Sequence, residues 1–160
     1  MDGDKLKVGD KIVEFGQVYR VFKIIDGVVY YKPYYANKEN KSLVFSIPRQ
    51  NLNQTKIRRP LEKGKIKKII RGLSRKTEIN GELDTEDAKE SLKLNSARQT
   101  AQILKQLWYE KCNEDKNFTK SKKDVFELAI NRFVEEVAFV SRTTVDGAKD
   151  KITKALNKTL

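Results

Sequence analysis

The spacing of the apolar residues changes near Pro60, and this change limits the possible folds more than any other feature of the sequence. Before Pro60, the segments KIVEF, QVYRVFKII, VVYYKPYY and LVFSIP are rich in β-branched and aromatic residues, which favour strands. After Pro60, apolar residues recur every three or four positions, as in amphipathic helices. The sequence therefore predicts an α+β protein, with a small N-terminal β-barrel over residues 1–58 and an α-helical bundle over residues 59–160.

Turn residues and prolines divide the N-terminal half into hairpins. Asp26-Gly27 predicts a two-residue turn between the second and third strands. Pro33 cannot donate a ladder hydrogen bond, so the third strand should be bulged there or lie at an edge. The last strand, Leu43 to Pro48, follows a polar loop and ends in a proline, which predicts an edge strand. Most aromatic residues here should fill the core, while two tyrosines of residues 30–35 point outward, as a partner surface or as ordinary amphipathic surface.

Two apolar stripes define the first and third predicted helices, which are separated by a polar loop and a short acidic helix. The first stripe consists of Ile66, Ile69, Ile70 and Leu73. The other stripe consists of Ala97, Ala101, Leu104 and either Trp108 or Leu107. We expect Trp108 to lie in the helical core.

Capping residues predict where the last two helices begin. Thr119 is the expected N-cap of the longest helix. Thr143 and Asp146 have the spacing of a capping box for a last helix that should reach about Lys158.

The residues that are missing exclude several kinds of chemistry. The chain has no histidine and a single cysteine, Cys112, so histidine-based triads and histidine-ligated zinc sites cannot form within it. Phosphate-binding glycine motifs are also absent. We therefore expect no enzymatic activity, no catalytic or metal site and no cofactor, and we interpret Cys112 as a half-buried, unreactive thiol. Without a signal peptide or a long apolar segment, the predicted location is the cytoplasm.

Positive charge is concentrated in residues 56–76, where ten lysines and arginines accompany one acidic residue, Glu62. The whole chain has a formal net charge of +12, which favours a polyanionic partner. A DNA surface, an RNA surface and a solvated helix face all fit this run. A membrane-surface helix fits less well, because the apolar stripe has no tryptophan or phenylalanine to insert.

Several segments, in order, resemble the CarD/CdnL family of transcription regulators. In the first half these are LKVGDKIVEFG, YYKPYY, LVFSIPRQNL and KIRRPL. In the second half these are QILKQLWYEKC and FTKSKKDVFELAINRFVEEVAFV. The family's barrel is shared with the RNA-polymerase-interacting domain of transcription-repair coupling factors, but a helicase does not fit in this length.

The resemblance implies a non-enzymatic bacterial regulator with an N-terminal Tudor/SH3-like barrel and a helical domain. The barrel would bind the β subunit of RNA polymerase. The helical domain would contact promoter DNA at the upstream edge of the bubble and modulate open-complex stability. The protein would then be a monomer associated with the nucleoid through the polymerase.

Two segments depart from the family pattern. Glu14-Phe15-Gly16 replaces the usual opening of the barrel with its histidine-glycine turn. The acidic segment GELDTEDAKE occupies the position of the loop that carries the family's wedge tryptophan and its arginines. Since carboxylates repel phosphates, the DNA contact is expected to move to the basic run and to the lysines near Thr119.

The resemblance and the charge pattern together predict two interfaces. The polymerase-binding residues are predicted to be Phe45, Ile47, Pro48 and Arg49. The DNA-binding residues, which would contact the backbone of double-stranded DNA without reading sequence, are predicted to be Arg58, Arg59, Lys67, Lys68, Arg71, Lys120, Lys122 and Lys123. The alternative is a free-standing RNA- or ribosome-binding protein with an SH3-like barrel and a basic helical tail.

Overall fold

The N-terminal strands form a four-stranded antiparallel sheet that curls into a half-barrel, and helices follow it. The computed structural model describes residues 3–79, 81–113 and 118–159. The strands pair in sequence order. Their bounds are β1 Lys11–Glu14, β2 Gln17–Ile25, β3 Val28–Pro33 and β4 Phe45–Pro48. The α+β class is thus confirmed, and so is the prediction that the last strand lies at an edge.

Both hairpin turns have left-handed backbone conformations. Phe15 and Gly16, which join β1 to β2, have φ angles of 50° and 76°. Asp26 and Gly27, which join β2 to β3, have φ angles of 50° and 73°. Positive φ at both central residues suits the right-handed twist of the strands. The Asp26-Gly27 turn was predicted, whereas Phe15-Gly16 gave a weaker signal.

Pro33 is accommodated at the end of β3 because the sheet is narrower there. As a whole, β3 is not an edge strand, because it lies between β2 and β4. Tyr34 donates its backbone N–H to the Val18 carbonyl, so the nitrogen of Pro33 faces away from β2. On that other side β4 begins only at Phe45, opposite Tyr31. Pro33 therefore occupies a local edge without a bulge; the one register shift of β2 with β3 lies between Val21 and Lys23.

The segment that follows β4 returns to β1 at the other edge of the sheet. After a 3-10 helix over Arg49–Gln54, the backbones of Arg58 and Val13 exchange two hydrogen bonds of 2.7 and 3.1 Å. The interior is apolar and aromatic, with Tyr19, Tyr31 and Phe45 in mutual ring contact. Its buried residues are Leu6, Ile12, Tyr19, Val21, Val29, Tyr31, Leu52 and Ile57.

Five helices follow the sheet. They are α1 Lys63–Leu73, α2 Thr85–Leu92, α3 Ala97–Asn113, α4 Lys120–Ser141 and α5 Val145–Asn157. Thr119 caps α4 as predicted, by accepting the N–H of Lys122. The capping box predicted from Thr143 and Asp146 is wrong by one residue, because Thr144 is the N-cap of α5 and accepts the N–H of Gly147. Among the described residues, no helix is long and apolar enough to cross a membrane.

The predicted stripes face the helical core, except that Trp108 lies at its edge. Ile66 and Leu73 of α1 are buried, as is Leu107 of α3. Trp108, in contrast, is only partly buried and packs against the edge of this core, stacked on Phe126 at 6.1 Å. Cys112 is exposed and not half-buried as predicted, and Leu94, between α2 and α3, is 47% exposed.

Two polar residues of the helical half hold it against the sheet. The buried Asn95 side chain accepts the N–H of Gly16 at 3.0 Å and donates to the carbonyls of Val13 and Lys56 at 2.8 and 2.7 Å. Glu136, on α4, is 1% exposed and receives both terminal nitrogens of Arg58 at 2.7 and 2.8 Å. The sheet therefore docks on the helical half through the hydrogen bonds of Asn95 and the Arg58–Glu136 ion pair.

Candidate interaction surfaces

The outer edge of β4 has unpaired backbone groups. Arg49 donates its N–H to the Gly27 carbonyl, and the register places Ile47 opposite Val29. Because hydrogen-bonded residues alternate along an antiparallel ladder, the N–H and C=O of Ser46 point away from β3. In the part of the chain that the structure describes, no strand lies beyond β4. This edge is a place where a partner strand can pair.

The side chains of the predicted polymerase-binding residues divide between the core and the surface. Phe45 and Ile47 are partly buried against the sheet core, while Pro48 is exposed. Just before them lie two strongly exposed apolar residues, Leu43 at 45% and Val44 at 57%. These two were missed, although their place between a polar loop and an edge strand could have indicated them.

Arg49 has a structural role that the sequence did not indicate. One of its terminal nitrogens donates to the carbonyl of Leu6 at 3.1 Å, and Leu6 is a buried residue of the sheet core. Replacement of Arg49 would therefore disturb the N-terminal segment as well as any partner contact.

The outer face of α1 carries a row of cations, which we call the α1 strip. It consists of Arg59, Lys63, Lys67 and Arg71, each four positions after the previous one. Lys63, Lys67 and Arg71 lie on one face of the helix because they are spaced by four, and all four side chains of the strip are exposed. A different face of the helix buries Ile66 and Leu73. Arg59, which precedes the helix, also forms an ion pair with Asp10 at 3.2 Å.

Arg58 and Lys122, both predicted to bind DNA, form ion pairs with buried carboxylates of the protein. Arg58 forms the ion pair with Glu136 and donates its Nε to the Asn95 carbonyl at 2.7 Å. Lys122 is 7% exposed, and its Nζ lies 3.6 Å from a carboxylate oxygen of Glu110. Both were expected to contact phosphates, but each compensates a buried carboxylate. Charge alone cannot distinguish a surface lysine or arginine from one that neutralises an interior acid.

The other predicted DNA-binding residues are not all in one place. Lys68 lies on a different flank of α1 from the strip, beside α3. Lys120 and Lys123 are exposed at the start of α4. The α1 strip, in contrast, begins near Glu136. On α4, Glu136 comes 13 residues after Lys123, which is about 20 Å along the helix. The structure therefore brings together Arg59, Lys67 and Arg71 and adds Lys63, which was not predicted.

An exposed aromatic residue lies beside the start of the α1 strip. Tyr34 is 44% exposed, and its ring contacts Phe139 of α4 at 5.3 Å. The Nζ of Lys11 is 6.0 Å from the centre of the same ring. Tyr34 borders a cavity of about 980 Å³ whose other lining residues include Arg59, Lys63 and Arg142. An aromatic ring among cations is a common feature of nucleic-acid surfaces.

The polar segment over residues 74–95 has one strongly exposed large apolar residue among its described positions. Ala88 and Leu92 are buried, while Ile79 and Leu83 are partly buried. Only Leu94 is largely exposed. The segment therefore presents no aromatic side chain to a base pair.

A half-buried carboxyl, that of Glu135, lies between α4 and β2. Burial raises the pKa of Glu135 to about 7, although a hydrogen bond from the backbone N–H of Val18 acts in the opposite direction. Since the carboxyl has an ordinary value of 4.5 when exposed, the folded protein binds this proton more tightly than the unfolded chain. The contribution of Glu135 to stability is thus fully present below about pH 4.5 and is lost as the pH rises through 7.

We therefore expect that Glu135→Gln, compared with the parent protein, is more stabilising at pH 8 than at pH 5. The neutral amide keeps the size of the side chain without placing a charge in the interface, so the benefit should grow between these pH values. Urea unfolding of both proteins at the two pH values measures it. A stability difference that is the same at pH 5 and pH 8 would contradict the assigned pKa.

The described residues contain no group of three or more histidine, cysteine, aspartate or glutamate side chains that could hold a metal ion. What the geometry provides is two surfaces, namely the unpaired β4 edge and the cationic α1 strip. No protein-family model matches the chain, and no curated protein matches its sequence.

Proposed function

We propose that the protein is a non-enzymatic bacterial transcription regulator. Its N-terminal sheet, a Tudor/SH3-like barrel in this proposal, binds the β subunit of RNA polymerase. Its helical half contacts the backbone of promoter DNA near the upstream edge of the bubble and modulates open-complex stability. The observation that carries the proposal is the presence, on one molecule, of an unpaired strand edge and a separate cationic strip.

The β4 edge supports the protein contact. A strand of the partner would pair with the outward N–H and C=O of Ser46, and Leu43 and Val44 would lose their exposure against it. Apolar side chains beside an open strand edge favour association with another protein over nucleic acid.

The α1 strip supports the DNA contact. The three exposed cations of the helix, Lys63, Lys67 and Arg71, extend over about 12 Å, a length in which one DNA strand carries about three phosphates. Lysines and arginines on a helix face bind phosphates without reading base edges, so the contact should not depend on sequence. A polymerase-bound protein needs only weak DNA affinity, since tethering raises its effective concentration.

Val44→Glu should weaken binding to the β-subunit lobe by about tenfold or more, since a buried carboxylate replaces an apolar contact. Retention of the full-length protein on the immobilised lobe measures this. Val8→Glu is the matched control, because Val8 is 59% exposed and precedes β1, at the opposite edge of the sheet. Equal retention of the two variants would exclude the β4 edge.

Lys67→Glu combined with Arg71→Glu should weaken binding to double-stranded DNA. It should also reduce the slope of log affinity against log salt by about two, one for each lost phosphate contact. Retention on random-sequence DNA across a salt series gives both numbers. The comparison variant, Lys120→Glu combined with Lys123→Glu, has the same charge change at the other end of α4. A larger loss in the comparison variant would move the DNA contact to that end.

The second candidate function is binding of structured RNA in the absence of polymerase. Tyr34 favours it, because an exposed ring bordered by Lys11 and Arg59 can stack on an unpaired base. Tyr34→Ala should then weaken binding to RNA hairpins with single-stranded loops but leave duplex DNA binding unchanged. Under the proposed regulator function, Tyr34→Ala leaves retention on the β-subunit lobe unchanged.

A further inference from the structure

A groove between α1 and α3 is separate from both proposed surfaces. It has a volume of about 1100 Å³ and lies on the flank of α1 that carries Lys65 and Lys68. Helix geometry directs this flank away from Lys67 and Arg71, so the groove and the α1 strip use different sides of one helix. An occupant of the groove would therefore be distinct from DNA bound to the strip.

The composition of the groove combines an apolar floor with cations. Apolar residues that line it include Leu61, Ile69, Leu73, Ala97 and Ala101. The cations that line it are Arg58, Lys65, Lys68, Arg98 and Lys105. Of the residues that line the groove in the described part of the chain, none is acidic and none is aromatic.

The charges of the groove are only partly compensated within the protein. Arg58 is paired with Glu136. Lys105 donates to the Gly72 carbonyl at 2.8 Å and contacts the Thr77 hydroxyl, and burial together with the nearby charge of Arg75 lowers its pKa. Among the described residues, Lys65, Lys68 and Arg98 have no carboxylate within ion-pair distance. An anionic occupant would relieve this accumulation of positive charge.

Two features select the kind of anion. Nucleic acid in a single-stranded groove normally stacks its bases on aromatic side chains, and the groove has none. Its floor of leucine, isoleucine and alanine instead fits the apolar side chains of an amphipathic helix. The acidic helix α2 of a second copy does not qualify, because its own apolar residues Ala88 and Leu92 are already buried.

We propose that the groove between α1 and α3 binds an acidic amphipathic helix of a partner protein, with its apolar face on the groove floor and its carboxylates at Lys65, Lys68 and Arg98.

Gly72 gives a way to close the groove without disturbing the core. It lines the groove within α1, and a Cβ added there meets no heavy atom within 4 Å. The phenyl ring of Gly72→Phe therefore fills the groove. The loss of a glycine from the helix also favours formation of α1. Gly64→Phe is the matched control, because Gly64 is also in α1, its added Cβ also meets nothing within 4 Å, and it does not line the groove.

The test uses a labelled synthetic peptide of about 14 residues, which is about four helical turns. Leucines form one face of the peptide and glutamates occupy the rest. Fluorescence anisotropy should show saturable binding to the full chain that is at least about tenfold weaker in Gly72→Phe, since the floor no longer accepts the leucines. Gly64→Phe should bind like the parent.

A charge exchange completes the test. The double variant Lys65→Glu with Arg98→Glu should no longer bind the glutamate peptide. It should instead bind a peptide in which lysines replace the glutamates. Absence of peptide binding to the parent, equal binding to both glycine variants, or groove-dependent binding of an oligothymidine in place of the peptide would each overturn the proposal.

Discussion

Gly16→Ala should destabilise the protein by about 4 kcal/mol, or prevent folding, because the hairpin it closes is pressed against α4. A Cβ at Gly16 would lie 1.8 Å from the backbone carbonyl oxygen of Arg132, so the sheet would have to move away from the helix. That movement would also break the hydrogen bond from the Gly16 N–H to Asn95. Urea unfolding followed by circular dichroism measures the loss.

Gly27→Ala separates the packing cost from the backbone cost. Gly27 has a φ angle of 73°, close to that of Gly16, and its added Cβ meets no heavy atom within 4 Å. The substitution therefore carries only the left-handed penalty of about 1–2 kcal/mol. If the two alanine variants lose the same stability, the hairpin does not dock on α4 as described.

Glu136→Ala should destabilise the protein by about 3–5 kcal/mol, the usual cost of breaking a buried ion pair. The carboxylate accepts both terminal nitrogens of Arg58 and, at 2.9 Å, the backbone N–H of Leu61. Its removal leaves a partly buried guanidinium and a backbone donor without their acceptor. Urea unfolding again gives the difference.

Two further variants test the reason for that loss. Glu127→Ala, on an exposed position of α4, should change the free energy of unfolding by less than about 0.5 kcal/mol. Glu136→Leu combined with Arg58→Leu should be more stable than Glu136→Ala, because no unpaired charge remains. A double variant that is less stable than Glu136→Ala would show that the pair contributes more than the compensation of its charges.

Local sequence patterns were sufficient for much of the fold. The Asp26-Gly27 turn, the Thr119 cap and the α1 stripe each depend on residues within one turn or one helical repeat. The displaced cap of α5 shows the limit of this reasoning, because Thr143 and Thr144 are adjacent and equally suitable by residue type. Only the backbone conformation decides between them.

The candidate site was less predictable because it depends on contacts between distant parts of the chain. Arg58 and Glu136 are 78 residues apart, and their pairing removes a cation that the sequence counted as surface charge. Trp108 illustrates the same difficulty, since helical spacing could not decide whether it or Leu107 would point into the core. The β4 edge was predictable because a proline and a polar loop are local signals.

Asn95 makes the N-terminal half dependent on the C-terminal half. One amide from the segment between α2 and α3 hydrogen-bonds to Val13 of β1, to Gly16 of the first turn and to Lys56 of the segment after the 3-10 helix. A fragment that ends near residue 60 would leave these three groups without that partner and would expose the face of β2 that packs on α4. Unfolding of the full chain should accordingly be a single cooperative transition, in which the partner-binding edge and the cationic strip are gained or lost together.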